Sequence, residues 1–184
     1  MTTPGLALEL ARNQAIDILW LAGEDGIRTS PERAPNLVEG LPKIHQALVE
    51  AGIRDQVTLV ASGGLAMAEH CPKSFILGAD AVAVDWPLVI ALECRLDESC
   101  VDGQCTCGLK KLDPAWGRQR IVNLMGAWRL QILEVLGAMG LREIRRLRGE
   151  RGRAIFAADL EELFFAPLVP HTASDQPQTV LNAR

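Results

Sequence analysis

Three short apolar runs limit what this chain can fold into. Residues 16–22 read Ile-Asp-Ile-Leu-Trp-Leu-Ala, residues 56–61 read Gln-Val-Thr-Leu-Val-Ala, and residues 81–84 read Ala-Val-Ala-Val. Each has strand length and each meets a glycine turn: Gly23-Glu24-Asp25-Gly26, Ser62-Gly63-Gly64 and Gly78-Ala79-Asp80. Between and around them lie helical stretches: residues 5–15, a helix opened by Pro42 in its first turn and stopped by Gly52, one running to Leu77 with Pro72 in its first turn, and a short one over 87–93. Helices alternating with apolar strands predict a parallel sheet covered by helices. Three such units suit part of a barrel or of an open doubly wound sheet, and periodicity does not separate the two.

The strongest chemical signal follows the third strand. Four of the five cysteines fall in Cys94–Cys107, with spacing C-x5-C-x4-C-x-C. Asp97, Glu98, Asp102 and Gly103 surround them, so the loop offers little apolar cover for inert thiols. Several soft thiolates on one loop suit an iron–sulfur cluster. Structural zinc is the rival, but its sites usually pair C-x2-4-C motifs with a second pair downstream, which is missing here. Disulfides or unligated thiols are the remaining alternative.

A chain of 184 residues allows roughly one domain. The net charge of −4 gives no general reason to expect nucleic acid or an anionic membrane as partner. No apolar run has the length of a membrane span. Clustered cysteines without a signal sequence point to a reducing cytoplasm.

Beyond the cysteines, Ile121, Met125, Trp128, Ile132, Val135 and Met139 recur at steps of four and three. They predict a long amphipathic helix over 116–139, stopped by Gly140. Residues 141–148 predict a short helix with Leu141, Ile144 and Leu147 inward and its arginines solvated. A last short helix over 159–165 precedes a tail from Pro167 whose composition predicts disorder.

In parallel α/β folds, ligands sit at the carboxyl ends of the strands. That edge carries residues 23–26, Ser62-Gly63-Gly64 and residues 84–87. Two glycines before a helix suit a phosphate-bearing ligand, although Gly-Gly also makes ordinary tight turns. Glu24 and Asp25 are candidates for an acid–base pair, against the ordinary reading of solvated loop carboxylates. His45 reads as structural, His70 as a surface histidine within reach of a phosphate, and Cys71 as a lone buried thiol.

These residues resemble the FMN-binding domain of glutamate synthase over roughly residues 10–150. The likeness runs through Ile16-Asp17-Ile18 to Gly26, Thr29-Ser30-Pro31, Leu41-Pro42-Lys43-Ile44-His45-Gln46-Ala47-Leu48, Arg54-Asp55-Gln56-Val57-Thr58-Leu59, Ser62-Gly63-Gly64-Leu65, Gly78-Ala79-Asp80, residues 88–94 and Arg120-Ile121-Val122-Asn123-Leu124. Cys94, Cys100 and Cys105 have the spacing of that family's 3Fe-4S ligands. The resemblance implies a (β/α)8 barrel of TIM type that holds FMN. It implies reductive amination of 2-oxoglutarate to glutamate, with a cluster relaying electrons from a ferredoxin or a flavoprotein. Gly63 and Gly64 would hold the FMN phosphate, with Ser62 and Asp85 beside it and Gly26 near the flavin ring. Cys94, Cys100 and Cys105 would ligate iron; Cys107 would be a bystander, or a fourth ligand of a 4Fe-4S cluster.

The expected fold is therefore α/β: the C-terminal portion of a (β/α)8 barrel followed by a helical iron–sulfur-associated segment. Residues 1–93 would form the partial, FMN-binding-like barrel, 94–112 the cysteine loop, 113–166 the C-terminal helices and 167–184 the tail. The chain opens near the family's sixth strand, so the remaining strands, the family's lysine and most substrate contacts would come from elsewhere in the polypeptide or from another subunit. Three departures stand out. Asp85-Trp86 replaces a Gly-Thr pair beside the phosphate, Ser62 stands where the family often has Asp, and Gly26-Ile27-Arg28-Thr29 is shorter and poorer in glycine. An electron-transfer module without flavin chemistry, or a remnant with neither cofactor, are the competing readings.

Overall fold

A computed structural model describes residues 4–13, 16–23, 36–95, 111–150 and 152. The apolar runs form three strands, β1 (Ile18–Ala22), β2 (Thr58–Ser62) and β3 (Ala81–Ala83). They pair in parallel in the order β1-β2-β3. Ala22 lies opposite Ser62, and Ser62 opposite Ala83, so all three strands finish at one edge.

Side chains alternate across a strand, and the two faces of this sheet differ sharply. Leu19, Leu21, Leu59 and Ala61 are all at most 9% exposed. On the opposite face, Ile18 is 61% and Trp20 67% exposed. The buried face is covered by helices. These are α1 (Pro4–Arg12), α2 (Leu37–Glu50), α3 (His70–Ile76), α4 (Trp86–Ala91) and α5 (Pro114–Ala138), with 3-10 turns at Arg54–Gln56 and Ile144–Leu147.

α2 starts earlier than the sequence suggests. Pro42 lies inside it rather than in its first turn. The Asn36 side chain caps the helix by accepting from the Val38 amide at 2.9 Å, and Lys43 pairs with Glu39 on its surface. An interior proline removes one helical hydrogen bond. Burial of Leu41, Ile44 and Leu48, each at most 2% exposed, holds the helix around it. Gly52 ends it as expected, at φ +69°.

α5 forms as the periodicity predicts. Asp113 caps it through the amides of Ala115 and Trp116, and Pro114 opens it. Of the six residues in its predicted seam, Met125 alone is exposed, and Leu124 packs inward beside it. Stepping four residues each way from Trp128 reaches Leu124 and Ile132, and these pack with Trp128 against Ala68, Cys71, Val82, Val84 and Ile144. Met125 is 38% exposed and sits outside this seam. Burial raises the Cys71 thiol pKa, as fits a lone thiol in an apolar cluster.

The segment after Gly140 is a 3-10 turn over Ile144–Leu147, not an α-helix. Leu147 is fully buried. Arg148 is not solvated as expected: it donates to Asp80 at 2.9 Å and to Asp55 at 2.6 Å. Asp80 also accepts from Arg54 at 2.7 Å and from the Leu59 amide at 2.8 Å. Arg54, 5% exposed, further donates to the carbonyls of Val57 and Gly78 and to His45 Nδ1. This cluster ties α2, the amino ends of β2 and β3, and the C-terminal turn together. It confirms His45 as structural.

Burial alone would raise the Asp80 pKa. The Leu59 amide and the guanidinium groups of Arg148 and Arg54 outweigh it and hold the carboxyl below its ordinary value. Its stabilising contribution is therefore present above the unfolded-state pKa and is lost as pH falls through the lower folded value. Arg54→Met should cost about 3–5 kcal/mol in urea denaturation, since it strips one partner from a buried pair. Asp80→Asn should flatten the acid limb of the stability–pH profile.

Candidate functional site

The common carboxyl edge of the strands gathers Ser62, Gly63, Gly64 and Asp85, as the sequence suggests. Gly63 and Gly64 have φ of +92° and +66°, a region that non-glycine residues enter at a cost of about 1–2 kcal/mol. Gly63 has a second reason to lack a side chain. A Cβ there would stand 2.4 Å from the Gly23 carbonyl oxygen. The Gly23 amide in turn donates to the Ser62 carbonyl at 2.7 Å. The ends of β1 and β2 thus close on each other through backbone alone.

The sequence places a helix directly after these glycines. In the structure α3 begins at His70 and is only seven residues long. Leu65–Glu69 intervene, and His70 Nδ1 accepts from the Ala66 amide at 3.2 Å. His70 therefore secures the turn. The Gly-Gly loop does not borrow the positive end of a helix. Next to it lies a cavity of about 390 Å3, lined by Leu37, Val38, Gly63, Gly64, His70 and Lys73 among others. Its size is that of a small-molecule site. Lys73 is paired with Glu69 at 2.8 Å, and that bond and charge lower the Glu69 pKa.

At the end of β3, Asp85 accepts from the Trp86 amide at 2.7 Å and caps α4. Trp86 is buried beneath it. A carboxylate thus stands where an anionic ligand would otherwise meet that amide. Toward an anion such as an FMN phosphate the two strand ends differ: Gly63-Gly64 offers backbone without side chains, and the β3 end offers the Asp85 carboxylate.

Cys94 follows α4 directly. The residue before it, Glu93, has φ +66°, the one non-glycine positive φ among the described residues. The Glu93 and Cys94 amides close the helix onto the Ile90 and Val89 carbonyls. The far side of the cysteine loop returns to the same place. A Cβ on Gly117 would lie 2.5 Å from Leu112 and 3.4 Å from Leu92, so both flanks of the loop converge on the first turn of α5. Arg120 adds a bond to the Ala91 carbonyl at 2.9 Å. Glu24, Asp25, Gly26, Cys100, Cys105, Cys107 and the helix predicted over 159–165 lie outside the described residues.

Two residues with unusual settings went unremarked in the sequence. Glu93 carries no sequence signal for its conformation. Trp20 does: it shares the period-two side of β1 with Ile18 and Ala22. Its indole N–H donates to Ser62 Oγ at 2.7 Å.

Residues 33–142 match the pattern described as the conserved region in glutamate synthase. The chain belongs to this family. A glutamate synthase [NADPH] of archaeal type from Methanocaldococcus jannaschii is 34% identical over 167 residues, covering 82% of this chain and 32% of that protein. An archaeal-type glutamate synthase [NADPH] from Thermotoga maritima is 36% identical over 144 residues, covering 69% of this chain and 28% of its own length. A ferredoxin-dependent glutamate synthase from Pyropia yezoensis is 26% identical over 167 residues, covering 84% of this chain and 11% of that protein. The chain spans about a third of the archaeal-type relatives it matches. Its place within the glutamate synthase family therefore concerns one region of a larger protein. Among the described residues, no helix is long and apolar enough to cross a membrane.

Gly63→Ala should be markedly more damaging than Gly52→Ala. At Gly52, φ +69°, nothing lies within 4 Å of where an added methyl group would stand, so alanine there meets only backbone strain of about 1–2 kcal/mol. Alanine at Gly63 meets that strain and the Gly23 backbone. Denaturation midpoints of the two variants measure the difference.

Proposed function

We propose that this chain supplies the C-terminal part of an FMN- and iron–sulfur-dependent glutamate synthase-like oxidoreductase. The unit would reductively aminate 2-oxoglutarate to glutamate. The observation that carries the reading is the Gly63-Gly64 turn at the common carboxyl edge of the strands, in a chain of this family whose cysteine cluster opens at Cys94. Three parallel strands in sequential order, with helices on one face, suit an arc of a (β/α)8 barrel. The open face carrying Ile18 and Trp20 would be the barrel interior, and further strands from the same polypeptide or another subunit would complete it. Parallel sheets are rarely left bare on one face.

Within that unit, the backbone at Gly63 and Gly64 would hold the FMN phosphate, with Ser62 beneath it and Gly26 near the ring. Cys94, Cys100 and Cys105 would ligate a 3Fe-4S cluster; with Cys107 as fourth ligand it would be 4Fe-4S. FMN, when bound, supplies the hydride that reduces the imine of 2-oxoglutarate. The cluster would draw electrons from a ferredoxin or flavoprotein donor. The four domains expected from the sequence, with boundaries after residues 93, 112 and 166, belong to this proposal, as does a cytoplasmic setting.

Asp85 favours a second reading, an electron-transfer module that keeps the cluster without flavin chemistry. A carboxylate fixed at the end of β3 repels a phosphate dianion. Anaerobic expression, alone and with a polypeptide supplying the other strands, followed by iron, sulfide and flavin analysis with EPR, separates the two. Iron, sulfide and stoichiometric FMN are expected once the unit is complete. Iron and sulfide without flavin under either condition would leave the electron-transfer module. Absence of iron from both preparations would remove the cluster assignment.

A further inference from the structure

Trp20 combines three properties that do not usually occur together. It is 67% exposed, although tryptophan is highly buried on average. It lies on the open face of the sheet, beside Ile18. Its ring is nevertheless fixed, because Nε1–H donates to Ser62 Oγ at 2.7 Å across the β1–β2 pair. An exposed tryptophan with no role needs no such anchor, and Ser62 is the residue that leads into Gly63-Gly64. The hydrogen bond therefore holds an aromatic plane toward the carboxyl edge of the sheet.

We propose that Trp20 is a positioning residue for the flavin: its indole is a platform against which the planar isoalloxazine packs, held in plane by Ser62. The proposal rests on the FMN reading above and goes beyond it by assigning this residue and its anchor. Rigid indole surface suits a planar heteroaromatic ligand, because stacking needs area and a fixed orientation at little entropic cost. Ser62 acts through Trp20: its hydroxyl accepts the indole proton, leaving its main chain to continue into the glycine turn.

The test titrates FMN into this chain assembled with the polypeptide that supplies the other strands and follows flavin and indole emission for wild type, Trp20→Leu, Trp20→Phe, Ser62→Ala and the Trp20→Phe/Ser62→Ala double variant. Bound flavin should be strongly quenched in wild type. Trp20→Leu should weaken FMN binding about tenfold and restore the bound flavin's emission. Trp20→Phe and Ser62→Ala should each weaken it about threefold, and the double variant no more than either, since both remove the same hydrogen bond. Thermal midpoints of this chain by itself, without FMN, should stay unchanged, because the indole is exposed there. FMN binding that is indifferent to Trp20→Leu would overturn the platform alone. A midpoint lowered by Trp20→Leu in the absence of FMN would also overturn it, by making Trp20 a packing residue. Failure of wild type to bind FMN would overturn the flavin reading of the preceding section, and the platform with it.

Discussion

The Arg54–Asp80 pair is the constraint on which the arrangement of the described residues depends. Arg54 is almost fully buried, and a guanidinium cannot shed its charge to escape desolvation. It must be satisfied where it stands. The Val57 and Gly78 carbonyls, His45 and Asp80 do this, and they come from the lead into β2, from α2 and from the turn before β3. Asp80 then takes Arg148 as a second cation, which draws the turn after α5 to the amino ends of the strands. Gly78 is held in the same place by geometry: at φ +114°, with a Cβ position 2.5 Å from His45, it leaves no room for a side chain. Such a network is a poor source of net stability compared with apolar packing, but removing one member leaves a charge stranded. What it supplies is register among elements far apart in sequence.

This division of labour places polar structure at one end of the sheet and candidate chemistry at the other. At the amino ends, side-chain charges cross-link the elements. At the carboxyl ends the strands are joined through backbone, by the Gly23 amide on the Ser62 carbonyl and by the close approach of Gly63. Backbone closure leaves the side chains at that edge out of the cross-linking of distant elements: Trp20 bonds to Ser62, and Asp85 to the adjacent Trp86 amide.

Much of this was legible beforehand because it is local. Apolar runs bounded by glycine marked the three strands, and a four-and-three spacing marked α5. The Asp113-Pro114 cap, which starts α5 two residues before the expected 116, is equally local but was not part of that reading. The misses share one cause, which is contact between distant residues. Pro42 pointed to a helix start because a proline is costlier inside a helix; the Asn36 cap and the burial of Leu41, Ile44 and Leu48 outweighed it. Met125 fits the spacing as well as Leu124 does, and the choice between them was made by Trp128 against Val82 and Val84. Arg148 belongs to an arginine-rich stretch that reads as solvated, and its partners lie 68 and 93 residues away. At the candidate site, the glycines and cysteines announced themselves by type and spacing. The exposure of Trp20 and the strain at Glu93 are properties of the folded chain.

Asp85 shows how the residue before a helix decides what its first amide meets. An α-helix start presents unpaired amides, and these must find an acceptor. When the residue before the helix has no acceptor side chain, the amides remain open to a bound anion. Here the carboxylate of Asp85 takes the Trp86 amide itself, so α4 is capped whether or not anything is bound. The β3 end is thus closed by its own carboxylate, while the turn after β2 carries no side chain at Gly63 and Gly64. A ligand at this edge would therefore lean on β1 and β2, where Gly63, Gly64 and the anchored indole of Trp20 stand together, rather than bridge β2 and β3.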